Sequence, residues 1–306
     1  MNKVRSEPEP DPADAPAPVG RALGQIFADR APERKEQKAR LRTALERHGA
    51  QSSTEAEAFG FFHYIVTPRS GGWAFKPSGK TGTTSALHFL FHLEFGRPLR
   101  AAVTRPGDLN VDQAAHELAR ARVFAFLPER GEAEDCLAYL RRTLRLATVR
   151  HPGPRALSGF RYFCRAQAEG KEQFAVDRLR MNALVDFDWE RHPDTPEGFV
   201  RFLEFIRLEL AENTTRRTNE HWAPQHLNIR PEVFEPELLG RTENLPAFFL
   251  AVAERLDRPL PPGVELDTPR NPQAPVDRDA FLDHPQARRL IAEVFARDFE
   301  AFGYDL

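Results

Sequence analysis

AFKPSGKTGTTS, residues 74–85, is the stretch on which the reading of this chain turns. Two anion-binding patterns run through it. Ala74, Gly79, Lys80 and Thr81 satisfy the relaxed nucleotide-loop spacing, with Ala where G-x-x-x-x-G-K-[ST] has its first Gly. Read from Lys80 onward, K-T-G-T-T-S suits a loop that holds a phosphosulfate. Under either pattern Gly79 and Gly82 let the backbone curl until several N–H groups converge on one anion, and the following helix adds its positive end. Lys80 supplies a mobile charge, while Thr81, Thr83, Thr84 and Ser85 supply hydroxyl donors. A triphosphate cradle fits less well. Pro77 removes an N–H from the loop, and the only approach to the Asp-terminated strand that helps hold Mg²⁺ is ALVDFDW (183–189), whose apolar part is too short.

Outward from the loop, WAF (73–75) reads as a short strand and GTTSALHFLFHLEF (82–95) as a helix. Strands are expected at 99–105, 121–128 and 144–149, with a last one at 236–240. Helices are expected at 132–142, 154–168, 195–212 (with Thr195 as N-cap), 245–256 and 285–304. This order predicts an α/β fold: a P-loop-like three-layer α/β/α arrangement with a central, mainly parallel sheet and a helical C-terminal half. In such sheets ligands sit beyond the C-terminal ends of strands, where the Lys80 loop and the segment after Val149 both lie.

The 306 residues, 41% hydrophobic and 29% charged, are enough for one sizeable core. A single domain over 31–306 is expected behind a disordered Pro-, Ala- and acid-rich tail over 1–30, with a charged helix at 33–49 packed outside it. No apolar run approaches the ~20 residues of a membrane helix, and the N-terminus lacks the apolar core of a secretory signal. Cys136 and Cys164 read as reduced thiols, so a cytoplasmic location is expected. A net charge of −2 supplies no global field toward nucleic acid or anionic lipid. Only six basic residues are Lys against 37 Arg, which singles out Lys80.

The second motif is RHPGPRALSGFR, 150–161. Arg150 leaves a strand at its C-terminal end, and Pro152 and Pro154 force the turn into a helix. Arg150 and Ser158 can then converge on one phosphate by a guanidinium fork plus a hydroxyl. Arg155 and Arg161 either add to that site or face solvent.

Together K-T-G-T-T-S and R-H-P-x-x-R-x-x-S-x-x-R resemble the two nucleotide-binding segments of sulfotransferases, most closely the carbohydrate (family 2) branch. NEHWAPQ (219–225), ELLGRTENLPAFF (237–249) and FARDFEAFGY (295–304) resemble further segments of that family, in the same order. The resemblance implies binding of 3′-phosphoadenosine 5′-phosphosulfate (PAPS). Lys80, Thr81, Gly82, Thr83, Thr84 and Ser85 would hold its 5′-phosphosulfate, and Arg150 and Ser158 its 3′-phosphate. It also implies a hydroxyl acceptor, a saccharide or glycolipid. The membrane anchor and the Cys pair of Golgi members have no counterpart here, which fits a soluble bacterial-type enzyme.

Sulfuryl transfer needs a cation beside the leaving oxygen, for which Lys80 is the choice, and a base for the acceptor proton. His221 is that base by context, with Glu220 beside it and His63, His88, His92 and Glu94 as rivals. His88 and His92, at i and i+4, suit a metal pair, yet no third ligand stands out and no metal is expected. Glu243 is expected to cap the following helix, and Trp222 to stack on the donor or lie in the core. Two other functions remain open on sequence: a P-loop small-molecule kinase using Mg-ATP, and a non-catalytic nucleotide-binding protein.

Overall fold

The computed structural model describes residues 35, 38–39, 61–103, 109, 112–129, 136–212, 218–268 and 276–306. The tail over 1–30 and nearly all of the helix expected at 33–49 lie outside them. The fold is mixed α/β around a five-stranded sheet. Its strands are β1 (Val66–Thr67), β2 (Trp73–Lys76), β3 (Ala125–Phe126), β4 (Leu144–Val149) and β5 (Leu238–Arg241). They lie in the order β3-β1-β2-β4-β5.

Strand β2 pairs parallel with β4, and β4 parallel with β5. Strands β2, β3, β4 and β5 run in one direction and β1 is antiparallel to both its neighbours, so among the described strands the sheet is mainly parallel with β1 reversed within it. The reason is connection length. Only Pro68 to Gly72 join β1 to β2, and a link that short closes an antiparallel pair but cannot make the crossover a parallel pair requires. Two expected strands also shrink. Residues 99–103 have no regular structure, and of 121–128 only Ala125–Phe126 is strand, after Arg122 takes a positive φ of 61°.

The inner strands carry apolar side chains on both faces, as buried strands must. Trp73, Phe75, Leu144 and Leu146 join one cluster with Leu87, Leu90 and Phe249. Ala74, Ala147 and Val149, at the alternate positions, join another with Ile229, Phe234 and Phe302. The period of two along each strand thus feeds two separate cores.

Six helices matter for the site: α1 (Thr83–Phe95), α2 (Pro152–Ala168), α3 (Pro196–Glu212), α4 (Leu245–Arg255), α5 (Pro285–Val294) and α6 (Ala296–Phe302). Thr195 does cap α3, its Oγ1 accepting from the Gly198 N–H at 3.0 Å. The single terminal helix expected over 285–304 is broken at Phe295, whose φ of −108° ends α5 and restarts the chain as α6. Helices α2, α3 and α5 bury Phe160, Phe163, Phe202, Leu290 and Ile291 in a third cluster around Trp222. Trp222 is fully buried there, so of the two roles expected for it the core role holds.

Candidate active site

The parallel strands β2, β4 and β5 all end on the same edge of the sheet, and a cavity of about 1020 Å³ opens there. Pro77 to Lys80 leave β2 into it, Arg150 leaves β4, and Thr242 and Glu243 leave β5. Ser158 and Tyr162 enter from α2, and Glu220 and His221 from the NEHWAPQ loop. Two sequence segments seventy residues apart therefore meet because their strands are neighbours.

The anion loop is tightly made. Lys80 itself takes a left-handed φ of 66°, a strained state for a residue with a side chain. Gly82 caps α1 at φ 78°, and a Cβ there would meet Leu245 Cδ1 at 2.9 Å. A Cβ on Gly79 would lie 2.6 Å from the Glu220 carbonyl, so only glycine lets the loop rest on the His221 segment. The Thr81 hydroxyl does not point at the cavity. It is fully buried, donating to the Ser78 carbonyl at 2.8 Å and lying 3.0 Å from Thr148 Oγ1. Thr83 likewise bonds the Ser78 carbonyl at 2.9 Å, while Thr84 faces His116 Nε2 at 3.0 Å. Gly82, Thr83, Thr84 and Ser85 line the cavity; Thr81 braces the loop from behind.

Half-buried Lys80 holds its ammonium 4.0 Å from the centroid of the Tyr162 ring. Burial, then the charges of Arg165, Arg150 and Arg155, bring its pKa down to about 7. The same ring stacks on the His221 imidazole at 5.2 Å and 19°. Asn219 Oδ1 accepts from the His221 backbone N–H at 3.1 Å and lies 2.8 Å from Nδ1. An oxygen can only accept, so Nδ1 carries the ring proton and Nε2 keeps a lone pair. Burial first, then Lys80, Arg155 and His116, depress the imidazole to about 3, so it is neutral at physiological pH.

Arg155 neither faces solvent nor adds to a phosphate site. It is buried, donating to the carbonyls of Gly79 at 2.9 Å, Ala223 at 2.8 Å and Glu220 at 3.0 Å. It ties the anion loop to the His221 segment. Arg161 lines the cavity, with its Nε 3.5 Å from Asp194.

Arg150 is held by its backbone. Gln225 accepts from the Arg150 N–H and donates to its carbonyl, both at 2.8 Å. The backbone N–H groups of Gln225 and His226 in turn donate to Asp298, on α6, at 2.7 and 2.8 Å. No hydrogen bond to the Arg150 guanidinium occurs among the described residues, and with Ser158 it borders the cavity. Glu243 does not cap α4; Asn244 does, accepting from the Ala247 N–H at 3.4 Å. Glu243 instead accepts from the His151 N–H at 2.8 Å and from the Tyr304 hydroxyl at 3.1 Å, closing the C-terminus over the β4 turn. Burial, then Glu243, hold the Tyr304 phenol above its ordinary pKa.

The rival bases fall away by position, since none of His63, His88, His92 and Glu94 lines the cavity. His88 pairs with Asp112 at 2.7 Å, and Glu94 with Arg258 at 2.6 Å. ALVDFDW spans the end of a helix (Ala175–Val185) and the turn beyond it, so it supplies no Asp-terminated strand. Tyr162, His116 and Arg278 border the cavity and had no sequence signal: each becomes a neighbour of the loop only through the packing of distant segments.

A family model described as the sulfotransferase family matches residues 108–305, and the chain belongs to that family. The protein is a sulfotransferase, an enzyme that moves a sulfuryl group. The matched span holds Arg150, Ser158 and His221; the Lys80 loop precedes it. Neither a curated protein nor a solved structure matches the chain. Among the described residues no helix is long and apolar enough to cross a membrane.

Proposed function

We propose that this sulfotransferase takes its sulfuryl group from PAPS and transfers it to a hydroxyl of a carbohydrate or glycoconjugate. The observation that carries the reading is that two elements suited to anions border one cavity: the Lys80 loop after β2, and Arg150 with Ser158 after the adjacent β4. A donor with a 5′-phosphosulfate and a separate 3′-phosphate presents two anions that such a pair can hold at once. A linear triphosphate presents one chain of charge and has no use for the second site. The residues fit the donor on their own chemistry: Gly82, Thr83, Thr84 and Ser85 line the cavity at the start of α1, and the Arg150 fork meets no protein acceptor among the described residues. A cytoplasmic location is proposed with it, where buried thiols such as Cys136 and Cys164 stay reduced.

When bound, the donor supplies a sulfuryl group on a phosphate leaving group, and 3′,5′-ADP is released. Lys80, with the amides at the start of α1, puts positive charge beside the leaving oxygen, where charge is greater in the transition state than in the ground state. His221 Nε2 accepts the proton of the acceptor hydroxyl. The cations that depress its pKa also attract the anionic donor, and an anion beside Lys80 offsets their field and makes Nε2 more basic. Arg155 keeps Lys80 and His221 in register by holding both of their segments.

The test is a pair of measurements. Melting is expected to shift upward with 3′,5′-ADP and not with Mg-ATP, and ³⁵S-labelled PAPS should give a sulfated product across a glycan and glycolipid panel. Stabilisation by Mg-ATP alone, with ADP released in turnover, would establish the kinase instead. Binding of 3′,5′-ADP without transfer to any acceptor would establish a nucleotide-binding protein that lacks catalysis.

A further inference from the structure

The two ends of the cavity differ in chemistry. The strand order sets them apart: β3 and β1 lie on one side of the Lys80 loop, β4 and β5 on the other. Arg150, Ser158, Glu243 and Arg278 line the β4/β5 end. With the nucleotide's second phosphate assigned to Arg150, the β1/β3 end is left for the acceptor, and His221 and Lys80 stand between the two. Tyr64, Val66, Phe126 and Leu118 line that far end. Val66 and Leu118 are almost fully buried, while Tyr64 is 41% exposed and offers an aromatic face at the mouth.

The charges at this end are few. Glu117 and Arg120 border it and pair with each other at 3.0 Å, and Glu220 stands beside His221. At this end the Glu117 carboxylate and the Arg120 guanidinium offset each other, which leaves no row of cations along it among the described residues. A polyanionic glycan is held elsewhere in proteins by rows of Arg and Lys that match its carboxylates and sulfates. Here such a chain would meet Glu117 and Glu220, and like charges facing each other oppose binding. An apolar wall with a hydrogen-bonding rim suits another ligand.

We propose that the β1/β3 end of the cavity is the acceptor site, and that it takes an uncharged hydroxyl compound with an apolar body next to its sugar or alcohol, such as an alkyl glycoside or neutral glycolipid, and rejects polyanionic glycans. The proposal rests on the PAPS reading above, because it is the assignment of the β4/β5 end to the donor that leaves this end free.

The experiment uses the full chain with labelled PAPS and three probes: octyl glucoside below its micelle concentration, free glucose, and an oligosaccharide rich in glucuronate. Octyl glucoside is expected to exceed each of the others in kcat/KM by about tenfold or more, because its alkyl chain buries apolar surface that glucose lacks. Tyr64→Ala should raise KM for octyl glucoside about tenfold, with little change in kcat and an unchanged melting shift with 3′,5′-ADP. Glu117→Lys should increase use of the glucuronate oligosaccharide several-fold. A wild-type preference for the glucuronate oligosaccharide or for glucose overturns the proposal, as does a Tyr64→Ala KM that does not move. No transfer to octyl glucoside while 3′,5′-ADP still stabilises the protein overturns the acceptor assignment alone. Failure of 3′,5′-ADP to stabilise it removes the donor reading and this proposal with it.

Discussion

The ammonium of Lys80 rests 4.0 Å from the centroid of the Tyr162 ring, whose plane also stacks against His221. One aromatic side chain from α2 thus touches both groups proposed to carry the chemistry. A cation over an aromatic face is worth about 0.5–2 kcal/mol, and 1.4 kcal/mol is tenfold in rate. Tyr162→Leu is expected to lower kcat about tenfold with a smaller change in donor KM, whereas Tyr162→Phe keeps the ring and most of the activity. Steady-state kinetics of the two variants decide it; equal losses in both would assign the effect to the hydroxyl.

Donor affinity should depend on pH through Lys80. Its ammonium in the free enzyme titrates near 7 and is stabilised by a bound anion. Below pH 7 Lys80 is already charged and affinity for 3′,5′-ADP is highest. Above it, binding must take up a proton, and affinity falls by up to about tenfold per pH unit until the bound-state pKa is reached. Calorimetry from pH 6 to 9 in buffers of different ionisation enthalpy measures the uptake. Lys80→Met should abolish the proton uptake and bring turnover to background.

The same residue costs stability. Folding lowers the Lys80 pKa from 10.5 to about 7, so the folded state disfavours its charged form. The penalty is absent above pH 10.5, grows as pH falls toward 7, and is complete below 7. Lys80→Met is therefore expected to melt higher than the parent protein at pH 6, an exchange of activity for stability. Scanning calorimetry at pH 6 checks it, and a lower melting point in the variant would contradict the sign.

Removal of Arg155 should act in the opposite direction. Its guanidinium donates to three backbone carbonyls from two segments, and each buried acceptor left unpaired costs about 1–3 kcal/mol. Arg155→Met is expected to destabilise the fold by on the order of 3 kcal/mol or more, measured by urea unfolding. Activity of the fraction that folds should fall as well, because Lys80 and His221 lose their common support.

Asp298 reaches the proposed donor site at Arg150 through Gln225 without touching Arg150. The carboxylate accepts from two backbone N–H groups and lies 2.7 Å from His226 Nδ1, and Gln225 then fixes the Arg150 backbone. Asp298→Asn keeps one carbonyl oxygen and should weaken 3′,5′-ADP binding several-fold with a modest loss of stability. Isothermal titration distinguishes this from a purely structural role, which would lower the melting point and leave affinity unchanged.

Local chemistry carried much of this molecule in its sequence. The glycine spacing around Lys80, the proline-led start of α2 and the Thr195 cap of α3 each define an element from neighbouring residues alone, because capping and dihedral restriction act over a few positions. The segments NEHWAPQ and FARDFEAFGY were visible as motifs, yet their meaning was not: only the fold brings Asp298 to Gln225 and Gln225 to Arg150. Tertiary packing likewise turned Arg155 inward, set Thr81 behind the loop and stood Tyr162 between Lys80 and His221. Strand pairing was also beyond the local signal, since β1 and β3 are two residues each and a strand that short has too few positions to show its period. The sequence alone marked two segments whose residues suit an anion; the order of strands across the sheet decided that both segments border one cavity, because hydrogen bonding sets β2 beside β4 whatever the distance between them along the chain.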